Sequence, residues 1–147
     1  MEGVDINYTL LSILTESHHL YVPTDFDIYL HGDELKLEIK FEFEGDEETN
    51  ELLVKVYQTI YWNKNKTMEK DFWIKMFDIT VDSKYEIEKL KNYIDDKKTV
   101  FKPELLIKFA HLSASHARGV QSVLAKDTPL QLIYISTKKV NNFLKTD

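Results

Sequence analysis

Three alternating runs in the first half of the chain constrain its fold most. Leu35, Leu37, Ile39, Phe41 and Phe43 take one side of an extended segment, and Lys36, Glu38, Lys40 and Glu42 take the other. A side-chain period of two that sorts apolar from charged residues marks a strand with one buried and one wet face. The run Gly45-Asp46-Glu47-Glu48-Thr49-Asn50 ends it as an acidic turn. The next run, 52–62, is rich in β-branched and aromatic residues. Val54, Val56, Ile60 and Trp62 share one parity there; Leu53, Lys55, Tyr57, Thr59 and Tyr61 share the other. Asn63-Lys64-Asn65-Lys66 reads as a hairpin turn. In the third run, 70–81, Phe72, Ile74 and Met76 face one way, and Trp73, Phe77, Ile79 and Val81 the other. Consecutive strands joined by short turns make an antiparallel meander.

Simple alternation places Tyr57, Tyr61, Trp73 and Phe77 on the face away from a one-sided core. A sheet apolar on both faces must be covered twice. Helices cover one face; a second layer of the chain, a partner subunit or a client covers the other. Upstream, 8–22 fits either a helical face through Leu10, Leu11 and Leu14 or a strand, and the strand is preferred because a loop-like segment follows it. Downstream the period changes. Asp82-Ser83 caps a predicted short helix over 84–93. Pro103 then opens a long amphipathic helix, with Leu105, Phe109, Leu112, His116, Val120 and Val123 at helical spacing, to about Leu124. Asp127-Thr128-Pro129 ends it. Residues 130–135 read as a short extended run and 137–145 as a last short helix. Strands first and helices after predict an α+β fold: a four-stranded antiparallel sheet packed with a long C-terminal helix and shorter ones. At 147 residues the chain is read as a single domain over 1–147.

Several chemistries are disfavoured. Nineteen basic against 25 acidic residues give a net charge of −6, which opposes binding nucleic acid by attraction to phosphate. The absence of Cys removes disulfides, Cys-based zinc sites and a thiol nucleophile. Four glycines, at 3, 32, 45 and 119, build no phosphate loop, so no nucleotide cofactor is expected. His111 and His116 lie five apart, off the i, i+4 spacing of a helical metal pair, and the adjacent His18 and His19 point opposite ways if extended. Ser113, Ser115 and His116 lie close together but on a predicted helix, without a nucleophile elbow. Glu38-Ile39-Lys40, with Asp27 or Asp33 upstream, resembles the acid…Glu-x-Lys core of metal-dependent nucleases. The same residues read more simply as part of the solvated Lys36-Glu38-Lys40-Glu42 ladder. The chain is accordingly expected to be no enzyme, with no cofactor and no metal. The acidic start Met1-Glu2-Gly3-Val4-Asp5 lacks the basic flank of a secretory signal, and no apolar run is long enough to span a bilayer, so a cytoplasmic protein is expected. The acidic turn, with Glu44, Asp46, Glu47 and Glu48, is a solvated loop or a docking point for a basic partner.

Ser115-His116-Ala117-Arg118-Gly119-Val120, then Asp127-Thr128-Pro129-Leu130 and Leu132-Ile133-Tyr134-Ile135, resembles the SecB family of export chaperones and SecB-like proteins. The order of an opening strand, a crossover loop, a three-stranded meander and a long helix agrees over nearly the whole chain. The resemblance implies an ATP-independent holdase that assembles as a homodimer or homotetramer and holds unfolded or precursor polypeptides in apolar grooves, here through Tyr57, Tyr61, Trp62, Trp73, Phe77 and Leu112. Arg118 and Gly119 carry over as the family motif with a structural role, Gly119 letting the backbone deviate and Arg118 tying to a neighbouring carbonyl or carboxylate. The acidic face would meet the SecA translocase motor. Two features depart from a general export SecB: a Lys- and Asp-rich stretch before the long helix, and nine residues between Gly119 and Pro129. They point to a dedicated chaperone or interaction module as the alternative, serving a single partner such as an antitoxin.

Overall fold

The computed structural model describes residues 5–31, 34–64, 72–95, 100–133 and 136–145. The alternating runs are strands: β1 (Tyr8–Leu20), β2 (Leu35–Asp46), β3 (Glu51–Asn63) and β4 (Trp73–Ile87). They pair antiparallel in the order β1-β4-β3-β2, so the meander folds first on itself and β1 closes the far side of β4. A short helix, α1 (Ile28–His31), lies in the crossover between β1 and β2. The expected α+β architecture is the one observed. The strand reading of the N-terminal segment holds, and the hairpin residues Asn65 and Lys66 lie outside the described residues.

β2 and β3 pair without interruption from Leu35 opposite Trp62 to Asp46 opposite Glu51. Asn50 closes the turn at a φ of 58°, and the Glu48 N–H donates to the Asp46 carboxylate at 3.0 Å. Between β3 and β4 the ladder slips by one residue: Ile60 faces Phe77 but Tyr61 faces Lys75, leaving Met76 as a bulge. A one-residue insertion moves every side chain beyond it to the other face. Phe77, Ile79, Val81, Ser83, Tyr85 and Ile87 therefore all point into the core, and Trp73 stays outside. This corrects the placing of Phe77 on the second face with Trp73.

β4 continues to Ile87, which replaces the predicted helix over 84–93. The cause is in the same parity: Ser83, Tyr85 and Ile87 extend the buried face of the strand. Only a 3-10 turn, Leu90–Tyr93, follows, entered through Lys89 at a φ of 56°. A two-residue pair, β5 (Ile94–Asp95) with β6 (Val100–Phe101), leads to the long helix. Phe101 lies on Gly45, where a Cβ would come within 2.9 Å of the ring, so the close approach requires glycine.

The long helix α2 (Pro103–Leu124) crosses the sheet over β3 and β4, and α3 (Thr137–Lys145) follows. The buried stripe of α2 is Leu105, Phe109, Ala110, Ser113, Ala114, Ala117 and Gln121. It is rotated from the expected face. Leu112, His116 and Val120 are only half-buried, and Val123 is 72% exposed. The alanines allow close approach, and polar groups on the sheet select polar partners on the helix. Tyr85 Oη and Ser113 Oγ are 2.8 Å apart, and Ser83 Oγ and His116 Nδ1 also 2.8 Å. Gln58 donates to Gln121, whose own amide donates to the carbonyls of Leu130, at 2.8 Å, and Ile133. These polar side chains between helix and sheet satisfy one another, which makes the helix–sheet register specific as well as apolar. The segment after α2 is a 3-10 turn, Pro129–Leu132, rather than an extended run; Thr128 caps it, accepting from the Leu130 N–H at 3.2 Å. Tyr134 and Ile135 lie outside the described residues.

Candidate peptide-binding surfaces

Because α2 lies on one face of the sheet, the opposite face is left to the outward residues of β2, β3 and β4. Tyr57, Tyr61 and Trp73 lie there, with Trp73 40% exposed. The lysines of β2 organise these rings. Lys36 Nζ sits 4.8 Å above the Trp73 ring and 5.3 Å above Tyr61, and Lys40 Nζ sits 5.5 Å from the centre of Tyr57. Tyr57 donates to Glu42 at 3.0 Å, and partial desolvation, with that carboxylate beside it, raises its phenol above the usual range. The result is a flat aromatic strip whose ring faces are shared with ammonium groups. The other residues expected to hold a client lie elsewhere. Trp62 is 2% exposed and Phe77 fully buried, both in the core, and Leu112 is half-buried against it. Trp62 packs on Phe26 and His31 and donates its indole N–H to Glu34 at 3.0 Å.

A second surface gave little signal in the sequence. β1 is an edge strand, and all thirteen of its residues are exposed. Leu10, Ile13 and Leu20 face the side that carries α2, and Leu14, 60% exposed, faces the aromatic side. Bulges at Leu11 and Glu16 make this apolar pattern irregular, which hides it from a search for alternation. Glu16 reaches across to Lys55 at 3.1 Å and raises the lysine pKa through that bond. Beside it, desolvation and then the Glu16 charge raise the Asp82 carboxyl.

A cleft of about 990 Å³ opens at the other edge, between β2 and α3. The acidic hairpin residues Glu44, Asp46, Glu47 and Glu48 are all exposed and border a smaller hollow with Lys84. Arg118 is half-buried on α2, and Gly119 is exposed in an unbroken helix. No described glycine has a positive φ, and a Cβ at Gly119 would meet nothing within 4 Å. Backbone deviation is therefore not what Gly119 supplies here; it leaves a flat spot on the outer helix surface.

The catalytic alternatives find ordinary surroundings. Glu38 pairs with Lys36 at 3.2 Å and Lys40 with Glu42 at 3.6 Å, as a ladder of surface ion pairs does; Asp33 lies outside the described residues. Among the described residues no group of three His, Asp or Glu is placed to hold a metal ion. Ser115 donates to the His111 carbonyl at 3.0 Å, and Ser83, buried on β4, is hydrogen-bonded to the half-buried His116 of α2. Among the described residues no helix is long and apolar enough to cross a membrane.

No family model and no curated protein matches the chain. Among solved structures it is similar to a protein of unknown function from Streptococcus agalactiae, at 12% identity over 90% of this chain and 99% of that one, with a TM-score of 0.38. It is also similar, at 12% identity over 90% of this chain and 88% of that one and a TM-score of 0.37, to a SecB-like chaperone from Mycobacterium tuberculosis in complex with a peptide from the HigA1 antitoxin. Likeness this distant carries no functional conclusion by itself.

Proposed function

We propose that this protein is an ATP-independent holdase that keeps polypeptide segments extended on the outer face of its sheet. The observation that carries the reading is the solvent-facing strip of Tyr57, Tyr61 and Trp73, on the sheet face opposite the one that α2 covers over β3 and β4. Aromatic surface binds extended chains through buried area, with little directional demand, so many sequences satisfy it. The flanking lysines add donors for the backbone carbonyls and carboxylates of a client without making the strip selective for one sequence.

The edge strand β1 supports assembly. Thirteen exposed residues with Leu10, Ile13, Leu14 and Leu20 among them form the kind of edge that soluble chains cover. A second copy, pairing β1 with β1, covers both the unpaired backbone and the apolar side chains, and leaves the aromatic strips of both copies open. The sequence resemblance to SecB-like chaperones, which implies a homodimer or homotetramer, supports assembly of this kind.

The test replaces Tyr57, Tyr61 and Trp73 together by serine and compares suppression of light scattering by an unfolded client. The triple variant is expected to keep its native mass and lose most of the suppression. Unchanged suppression by a folded triple variant overturns the assignment of this face. A peptide array distinguishes breadth: a holdase binds many apolar and aromatic segments, whereas a dedicated chaperone binds the segments of one partner.

A further inference from the structure

The cleft between β2 and α3 differs in character from the aromatic strip. β2 is the other edge strand of the sheet, and α3 covers part of it. Along a strand the backbone groups of alternate residues point to the same side. Lys139 Nζ donates to the Leu37 carbonyl, which identifies the outward-looking set and places the backbone groups of Ile39 in it. The cleft therefore contains strand edge, and its volume of about 990 Å³ exceeds what one side chain fills. Its wall is basic on balance: Lys36, Lys40, Lys138 and Lys139 line it, with Lys36 paired to Glu38 and Lys40 to Glu42 at its rim, in a chain whose net charge is −6. The Tyr57 ring contributes apolar floor between them.

We infer that this cleft takes an extended acidic segment of a client, added to β2 as a fifth strand with its carboxylates toward Lys36, Lys40 and Lys138. Strand addition supplies main-chain hydrogen bonds that any sequence can make, and the alternate side chains supply the selection. Because successive side chains alternate, a segment with acidic residues at every second position presents them all on the lysine side and its apolar residues on the other. This deepens the holdase reading, on which it rests, by naming one class of segment the protein retains.

The test measures fluorescence anisotropy with three labelled dodecapeptides: one alternating glutamate with valine and leucine, a twin with lysine for every glutamate, and a twin of the first with two of its apolar residues replaced by proline. At low salt the acidic peptide is expected to bind at least tenfold more tightly than the lysine twin, and the difference to shrink as salt screens the charges. The proline twin is expected to lose binding because its missing N–H groups break the ladder. Lys40→Glu with Lys138→Glu is expected to abolish the preference; both lysines are exposed, so the fold is not at issue. Equal binding of the acidic and lysine peptides, an indifferent proline twin or an unaffected double variant overturns the inference. Suppression of client aggregation is measured in parallel. If suppression persists while the acidic preference is absent, the cleft assignment fails and the holdase reading stands. If the acidic preference is found but no client is held, the cleft assignment stands and the holdase reading fails.

Discussion

Phe77→Ala and Trp73→Ala should differ sharply, although unbroken alternation puts the two residues on one face. The bulge at Met76 sends Phe77 into the core, opposite Ile60 on β3 and Leu20 on β1, with no exposed surface. Truncating a buried phenylalanine costs about 3–5 kcal/mol through lost burial and the cavity left behind. Trp73 is partly open, and its defined partner is Lys36 at 4.8 Å, a contact worth about 0.5–1 kcal/mol at an exposed site. Adding its partial burial, the loss is about 1–2 kcal/mol. With a urea m-value of about 2 kcal/mol/M, Phe77→Ala lowers the unfolding midpoint by about 2 M and Trp73→Ala by about 0.5–1 M. Against a total stability of about 5–15 kcal/mol, the first is a large fraction and the second is not. Urea unfolding followed by far-UV circular dichroism at pH 7.5 reads both. Client holding is expected to move in the opposite order: Trp73→Ala reduces it while the protein stays folded. Equal midpoint shifts for the two variants refute the bulged register and the division of the sheet into core and client faces.

Gly119→Ala adds a methyl group to open space on α2 and improves helix propensity, so the isolated protomer gains about 0.5–1 kcal/mol, read by thermal unfolding. If it instead lowers the native mass, another helix approaches that flat spot in the assembly. Ile13→Lys with Leu14→Lys on β1 is expected to lower the mass seen by light scattering to that of one 17.4 kDa protomer with little loss of secondary structure, since both side chains are exposed; an unchanged oligomer removes β1 from the interface. Burial holds the His116 imidazole below its ordinary 6.5. The unfolded chain therefore takes up this proton first, so the contribution of His116 to stability is complete above pH 6.5. It is lost as pH falls from there to the lower folded-state value. His116→Gln should flatten that part of the pH dependence of the urea midpoint, and an identical slope in the variant contradicts it.

The parts of the fold that the sequence reveals are those governed by regular period. β2 and β3 alternate without a break, and their register follows from one short turn. The long helix is bounded by Pro103 and by the Asp127-Thr128-Pro129 stop, and it ends where expected, at Leu124. What escapes is irregular or polar. A bulge is a single inserted residue, and nothing in Met76 distinguishes it from its neighbours. Bulges at Leu11 and Glu16 likewise blur β1, so its exposed apolar length is invisible until its partner is known. The face of α2 is misread by a hydrophobic count because its buried stripe, beyond Leu105 and Phe109, consists of Ser113, Gln121 and three alanines, the two polar residues bonded to Tyr85 and Gln58 across the layer. The aromatic strip is legible as far as Tyr57, Tyr61 and Trp73, where parity is intact; Trp62 and Phe77 belong to the core. The cleft beside α3 depends on residues about 100 positions apart, Lys139 and Leu37, and no local pattern announces it.

The measurement that bears most directly on the central claim is light scattering by an unfolded client diluted into nucleotide-free buffer with increasing amounts of the protein. Scattering is expected to fall in proportion to added protein and to be suppressed near equimolar ratio, with no change on adding ATP. Scattering that matches an inert control protein at every ratio contradicts the claim.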